Sequence, residues 1–173
     1  MRNFISEDDI EQAILQKLEG DPFQYGILRC DPSPDKRELL PDGTGRSSKK
    51  ECVLPLILRE ALARLNPDIP GEKLEEIARD LCRDFSATDM TATNYKYYNQ
   101  IRNGIKISLR RNGKEDFDFV KLVDFDRPEN NTFTAVSQMW IQGRVYWRRP
   151  DVLIFINGLP MVFVELKNSI VKV

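Results

Sequence analysis

The chain has 173 residues, enough for one domain with a sizeable buried core. Its 41% hydrophobic and 31% charged residues are the balance of a soluble globular protein, and a net charge of −1 gives no global signature of nucleic-acid binding. The absence of histidine excludes Ser-His-Asp triads, Cys-His nucleophiles, HExxH zinc sites and histidine-based nuclease chemistry, so if the chain is catalytic its chemistry is expected to rest on carboxylates, lysine and a hard metal ion.

The amino terminus leads from Met1-Arg2-Asn3-Phe4 into an acidic stretch with no apolar signal core, and no apolar run approaches the roughly 20 residues of a membrane span. The expected compartment is the cytoplasm. Ser6 with Glu7, Asp8 and Asp9 reads as an N-cap and acidic first turn. Ile10, Ala13, Ile14 and Leu18 then recur at helical spacing up to Gly20. Residues 20–50 read as an irregular arm with one short strand at Tyr25–Leu28. Within it, Pro41–Lys50 is glycine-rich and basic but lacks the G-x-x-x-x-G-K-[ST] spacing of a phosphate loop, so a mobile surface loop is expected. Cys30, Cys52 and Cys82 are widely separated and read as free thiols.

Apolar stripes predict helices over Val53–Leu65, stopped by Asn66-Pro67, and over Glu72–Phe85, followed by a short one at Tyr95–Ile101. The character then becomes β-rich: Ile105–Leu109, Phe117–Phe125, Thr132–Ile141, Val152–Ile156 and Met161–Leu166, separated by turn signals such as Asn112-Gly113 and Asn157-Gly158. Helices over about 1–103 followed by strands over about 104–173 predict one α/β domain of the mixed α+β kind, a mixed sheet flanked by helices.

The chemistry is concentrated in Arg149-Pro-Asp-Val-Leu-Ile-Phe-Ile-Asn-Gly-Leu-Pro-Met-Val-Phe-Val-Glu-Leu-Lys-Asn168, two apolar strands around an Asn-Gly hairpin signal. Strands this apolar on both faces are expected at the centre of a sheet. Asp151 stands at the mouth of one strand, Glu165 and Lys167 at the end of the other. Glu165 and Lys167 share a face by alternation. Asp151 joins that face if paired residue numbers sum to an even value, which an odd-length loop or a glycine bulge provides. Two close carboxylates repel unless a cation lies between them, and Mg²⁺ suits an oxygen set of Asp151, Glu165 and the carbonyl of Leu166. Lys167 would then hold a water or the developing charge. The competing reading is a surface ion pair between Glu165 and Lys167, with Asp151 capping its strand.

This run closely resembles the nuclease segment of the restriction (R) subunit of type I restriction-modification enzymes, a PD-(D/E)xK nuclease. Asn131, Phe133 and Gln138 fit that family's pattern, and Leu65-Asn-Pro67, Asn94, Gly104 and Val123-Asp-Phe125 fit it more loosely. The resemblance implies a restriction-endonuclease-like sheet, metal-binding carboxylates at Asp151 and Glu165, and a catalytic lysine at Lys167. It offers Glu11 as the acidic helix residue of such nucleases; a solvated glutamate in an acidic first turn is the competing reading. It further implies Mg²⁺-dependent cleavage of double-stranded DNA, partnership with methyltransferase and specificity subunits, and coupling to an ATP-driven translocase. No Walker A or helicase motif occurs here, and the chain stops before the family's Gln-x-x-x-Tyr helix. A truncated amino-terminal piece, its sheet incomplete at the C-terminus, is therefore expected. Such a piece could instead be an inactive docking module that contacts DNA or other subunits. Arg148, Arg149 and Lys172 near the site, with Arg110 and Arg111 on a neighbouring turn, are the candidate DNA-backbone contacts.

Overall fold

Local sequence sets the start and stop of each helix. The computed structural model describes residues 6–83, 90–111 and 114–167. Ser6 caps α1 (Glu7–Glu19): its hydroxyl accepts from the Asp9 amide and the Asp9 carboxylate accepts from the Ser6 amide, a reciprocal capping box. α2 (Pro55–Leu65) opens on a proline and stops at Asn66. α3 (Gly71–Cys82) buries Leu74, Ile77, Ala78 and Leu81; Phe85, expected on the same stripe, lies outside the described residues. α4 (Met90–Asn103) extends beyond the expected Tyr95–Ile101 and ends at Gly104, whose φ of +81° is a left-handed C-terminal stop.

Four strands form a mixed sheet: β1 (Gly26–Arg29) lies parallel to the next strand in the sheet, Phe133–Ser137, and the other pairings are antiparallel. Between them in sequence come β2 (Ile105–Arg111) and β3 (Lys114–Val120), a separate hairpin, so Phe133–Ser137 is β4. A two-stranded excursion of β5 (Ile141–Gln142) and β6 (Trp147–Arg148) follows, then β7 (Val152–Ile156) and β8 (Leu159–Val164). The sheet order is β1-β4-β7-β8. α1 covers one face, Leu15 meeting Ala135 and Val152, while Leu54 at the start of α2 meets Val136, Leu153 and Phe155 on the other. Each of the buried Leu, Val and Phe side chains among these contributes about 1.5–3 kcal/mol. A third cluster joins Leu58 and Leu62 of α2 to Ile77 and Ala78 of α3 and to Leu109 and Val120 of the β2–β3 hairpin. Among the described residues no helix is long and apolar enough to cross a membrane.

Four expectations are corrected. The core line of α1 is Glu11-Leu15 with Leu18 half-buried, whereas Ile10 and Ala13 are exposed. The run Thr132–Ile141 is not one strand, because Gln138 adopts φ +57° and ends β4 at Ser137. β8 is an edge strand among the described residues, and Met161, Val162 and Phe163 are exposed. The stretch Pro41–Lys50 is anchored rather than loose. Asp42 takes ion pairs from Arg46 at 2.6 Å and Lys49 at 2.7 Å, with all three side chains at most 8% exposed. Burial alone would push the Asp42 carboxyl up, but donation from Lys49, Thr44 and Arg46 holds it well below the usual carboxylate range.

Candidate active site

The β7–β8 hairpin turns on Asn157 and Gly158, whose φ values of 53° and 80° are those of a tight two-residue turn. Asn157 is fully buried. Its side-chain oxygen accepts from the Thr132 amide at 2.8 Å, and its nitrogen donates to the Leu122 carbonyl at 2.9 Å and to Asn131 Oδ1 at 2.8 Å. Near the turn, Ile156 opposes Leu159 and Phe155 opposes Pro160; beyond a bulge, Ile154 opposes Val162 and Val152 opposes Val164. Met161 is the extra residue. It changes the parity of the register, so the pairing at the mouth is even, and continuing it sets Asp151 opposite Glu165. The expected register is present, produced by a non-glycine bulge on a two-residue turn rather than by an odd loop.

Asp151 is half-buried. Its Oδ2 accepts from the Leu166 amide at 2.6 Å, and its Oδ1 lies 3.4 Å from Gln138 Nε2. Its own carbonyl accepts from the Gln138 amide at 3.0 Å. Glu165 and Lys167 share a side of the chain, Lys167 Nζ standing 3.1 Å from Glu165 Oε1 with 80% and 44% of the two side chains exposed. Among the described residues neither bonds Asp151 directly; the link between the strands is the Leu166 amide.

Glu11 is the residue that sequence reasoning undervalued. It is 5% exposed, and Gln138 Nε2 donates a short hydrogen bond to its Oε2. Burial pushes its carboxyl up, the Gln138 hydrogen bond opposes this, and Asp151 and Asp8 push it further in the same direction as burial. The solvated-glutamate reading therefore fails. The signal was available: Glu11 lies one turn before Leu15 and two before Leu18, on the one line of α1 that faces the sheet. Counting only apolar residues hides a charged one on a core line. The result is two carboxylates from separate elements, Glu11 and Asp151, bridged by one neutral amide whose Oε1 is buried without a hydrogen-bond partner.

Among the described residues no three histidine, cysteine or acidic side chains converge as a metal cluster. The donor chemistry nonetheless fits Mg²⁺, which is commonly held by one or two carboxylates with waters and substrate phosphate completing its shell. Two carboxylates that share the Gln138 amide nitrogen, with the unpartnered oxygen of the same amide beside them, are such a set of hard oxygens.

Arg148 is exposed and stacks over the Tyr146 ring at 5.6 Å. Arg149 is engaged within the fold: it donates to the Pro32 carbonyl at 2.5 Å and lies 5.1 Å from the Trp140 ring centroid. Arg110 is exposed on β2, and no described bond ties it to this site. The side chain of Arg111 and the whole of Lys172 lie outside the described residues.

The family model for the type I restriction enzyme R protein N terminus matches residues 4–173. The chain belongs to that family. It is 32% identical over 167 residues to the type I restriction enzyme HindI endonuclease subunit of Haemophilus influenzae, covering 96% of this chain and 15% of that protein. A Methanocaldococcus jannaschii protein described as the MjaIXP endonuclease subunit is 28% identical over 167 residues, covering 92% of this chain and 15% of its own length. The chain thus spans about 15% of the length of either relative. Within this family Asn131, which fits its pattern by sequence, and Asn66, which fits it more loosely, have structural work. Asn66 clamps the Lys121 backbone through both amide atoms, and Asn131 Oδ1 accepts from the Asp124 amide at 2.9 Å.

Proposed function

We propose that this protein is the endonuclease module of a type I restriction enzyme and hydrolyses phosphodiester bonds of double-stranded DNA with Mg²⁺. The observation that carries this reading is the convergence of Glu11 and Asp151 on Gln138, beside the segment just past β8 that carries Glu165 and Lys167. Like charges brought together in a half-buried site are costly without a cation. Glu11, Asp151 and Gln138 would hold the ion, with Glu165 and the Leu166 carbonyl as neighbouring oxygen donors. When bound, Mg²⁺ supplies Lewis-acid polarisation of the phosphodiester and a lowered pKa for water.

The chain's own groups do the rest. Gln138 carries both an N–H donor and a carbonyl acceptor, so it bridges the two acids in the absence of a cation and offers an oxygen in its presence. The Leu166 amide fixes the orientation of Asp151 by holding one carboxylate oxygen. Lys167 is a flexible, exposed ammonium anchored by Glu165. It is suited to hold the attacking water and to stabilise negative charge on the phosphoryl oxygens. Coupling to ATP-driven translocation, and assembly with methyltransferase and specificity subunits, would belong to the complete enzyme in the cytoplasm.

A second reading, a docking module without activity, draws on the exposure of the Glu165–Lys167 pair and its lack of a direct bond to Asp151. Calorimetry and plasmid nicking separate the two. The nuclease reading expects Mg²⁺ or Mn²⁺ binding that is lost in Asp151→Ala and Glu165→Ala, and nicking that is lost in Lys167→Ala with metal binding retained. Absence of both metal binding and nicking at millimolar Mg²⁺ would favour docking.

A further inference from the structure

Between Gln138 and Asp151, the two residues that close on each other at the site, the chain leaves the sheet and returns. Residues 139–150 form an arm: β5 pairs with β6 through Ile141↔Arg148 and Gln142↔Trp147, and the Gly143 amide closes the tip on the Tyr146 carbonyl at 2.9 Å. A side chain at position 143 would put its Cβ 2.8 Å from that carbonyl, so the tip needs glycine. From 138 to 150 the sequence carries Arg144, Arg148 and Arg149 and no acidic residue, in a protein whose net charge is −1. The tip is bare: Val145 is 76% and Tyr146 66% exposed. Neither Arg144 nor Arg148 has a carboxylate partner among the described residues.

The base of the arm is, by contrast, firmly held. Met139 is fully buried. Arg46, whose side chain is 0% exposed, donates to the Trp140 carbonyl at 3.1 Å, and the Gln142 amide donates to the Lys49 carbonyl at 2.9 Å. Arg149 braces the far side on Pro32 and Trp140, and Arg37 lies 5.4 Å from the Trp147 ring centroid. The buried Asp42–Arg46–Lys49 cluster thus has a role that its stability cost alone does not explain. Its two basic residues fix β5. A rigid base and an uncompensated cationic tip, both tied to the residues flanking Asp151, are what positioning a polyanion at that carboxylate requires.

We infer that the β5–β6 arm is a double-stranded DNA-gripping element, with Arg144 and Arg148 on phosphates and the Val145-Tyr146 tip lying in a groove against sugar and base edges. The inference rests on the nuclease reading and adds to it the surface that registers the duplex on the site. Arg149 serves as a strut of the arm, held on the Pro32 carbonyl and the Trp140 ring. Double-stranded DNA is favoured over a protein partner because the arm's free charge is of one sign and the tip carries one aromatic and one small apolar residue rather than a broad apolar face.

The test is fluorescence anisotropy of a labelled duplex of roughly 25 base pairs, with Ca²⁺ in place of Mg²⁺ to prevent cleavage, over a range of salt concentrations. All the substituted residues are exposed, so circular dichroism is expected to match the parent. Arg144→Ala/Arg148→Ala should lower affinity roughly tenfold or more and make the plot of log K against log salt shallower by about two units. Tyr146→Ala should lower affinity with the slope unchanged, because it removes no charge. The control Arg79→Ala, on α3, should alter neither. Arm variants that bind duplex with the parent's affinity and slope would overturn the inference, as would variants whose defect is confined to binding another protein subunit. A parent that neither binds nor nicks duplex DNA would sink the nuclease reading itself, which is a separate result.

Discussion

The Leu166 amide donates to the Asp151 carboxylate across 2.6 Å, so the chain that delivers Glu165 and Lys167 is tied to the residue heading the adjacent strand. That single bond sets the orientation of Asp151 and leaves its other oxygen towards Gln138 and Glu11. Asp151 is therefore both a structural acceptor and one of two like charges in a confined space.

These two roles separate in Asp151→Asn. The asparagine retains a carbonyl oxygen for the Leu166 amide and loses the charge that opposes Glu11. In EDTA its Tm should equal or exceed the parent's, since the repulsion is gone and the hydrogen bond survives. In Mg²⁺ the order should reverse, because only the parent gains stability from binding the ion. Differential scanning fluorimetry in both buffers reads this directly, and a variant less stable than the parent in EDTA would contradict it.

The buried cluster around Asp42 predicts an acid limb in the stability curve. Its folded carboxyl titrates below the ordinary aspartate value of 3.8, so the unfolded chain takes up a proton first as pH falls. The stabilisation is complete above about pH 4 and is lost progressively below it. Asp42→Asn removes this dependence and leaves Arg46 and Lys49 buried without their counter-charge, at a cost of about 3–5 kcal/mol at neutral pH. Urea midpoints between about pH 7 and pH 3 should fall steeply for the parent and less steeply for the variant.

What could be read from sequence was what is decided locally. Ser6 with Asp9 announces a cap, Asn157-Gly158 announces a tight turn, and the apolar runs around that turn place the hairpin that carries Asp151, Glu165 and Lys167. Residues whose role depends on distant partners were not legible. Arg46 looks like one more base in a glycine-rich loop, because the Trp140 carbonyl that orders it lies 94 residues away. Glu11 looks solvated until α1 is docked and its line with Leu15 faces the sheet. The left-handed turn at Gln138 has no local signature, since glutamine is not a residue that favours positive φ. β8 reads as central because an apolar strand has the same sequence whether or not a neighbour covers its edge.

The Asn157-Gly158 turn predicts two costly substitutions far from the chemistry. A Cβ at Gly158 would lie 2.6 Å from the Leu54 carbonyl oxygen and 2.8 Å from the Leu58 nitrogen, at a φ of +80°. Backbone strain and overpacking together make Gly158→Ala destabilising by about 2–5 kcal/mol. Asn157→Ala strands the Thr132 amide and the Leu122 carbonyl in the interior, at about 1–3 kcal/mol for each unsatisfied group. Denaturant unfolding should show both losses. Metal affinity of the folded fraction should stay near the parent's, because neither residue touches the site.

Gln138 combines two effects that substitution can pull apart. Its φ of +57° is strained for a residue with a side chain, and its amide is the group that bridges Glu11 and Asp151. Gln138→Ala keeps the strain and removes the bridge, leaving the two carboxylates facing each other unmediated; a loss of about 1–3 kcal/mol in EDTA is expected. Gln138→Gly removes the bridge as well but relieves the backbone, so it should be more stable than the alanine variant by about 1 kcal/mol. Added Mg²⁺ should recover part of the loss in both, since the ion screens the charges that the amide no longer bridges, though with weaker affinity for want of the amide oxygen. Thermal melts of the parent and both variants across a Mg²⁺ titration measure all three differences, and equal stability of the alanine variant and the parent in EDTA would show that the amide is no bridge.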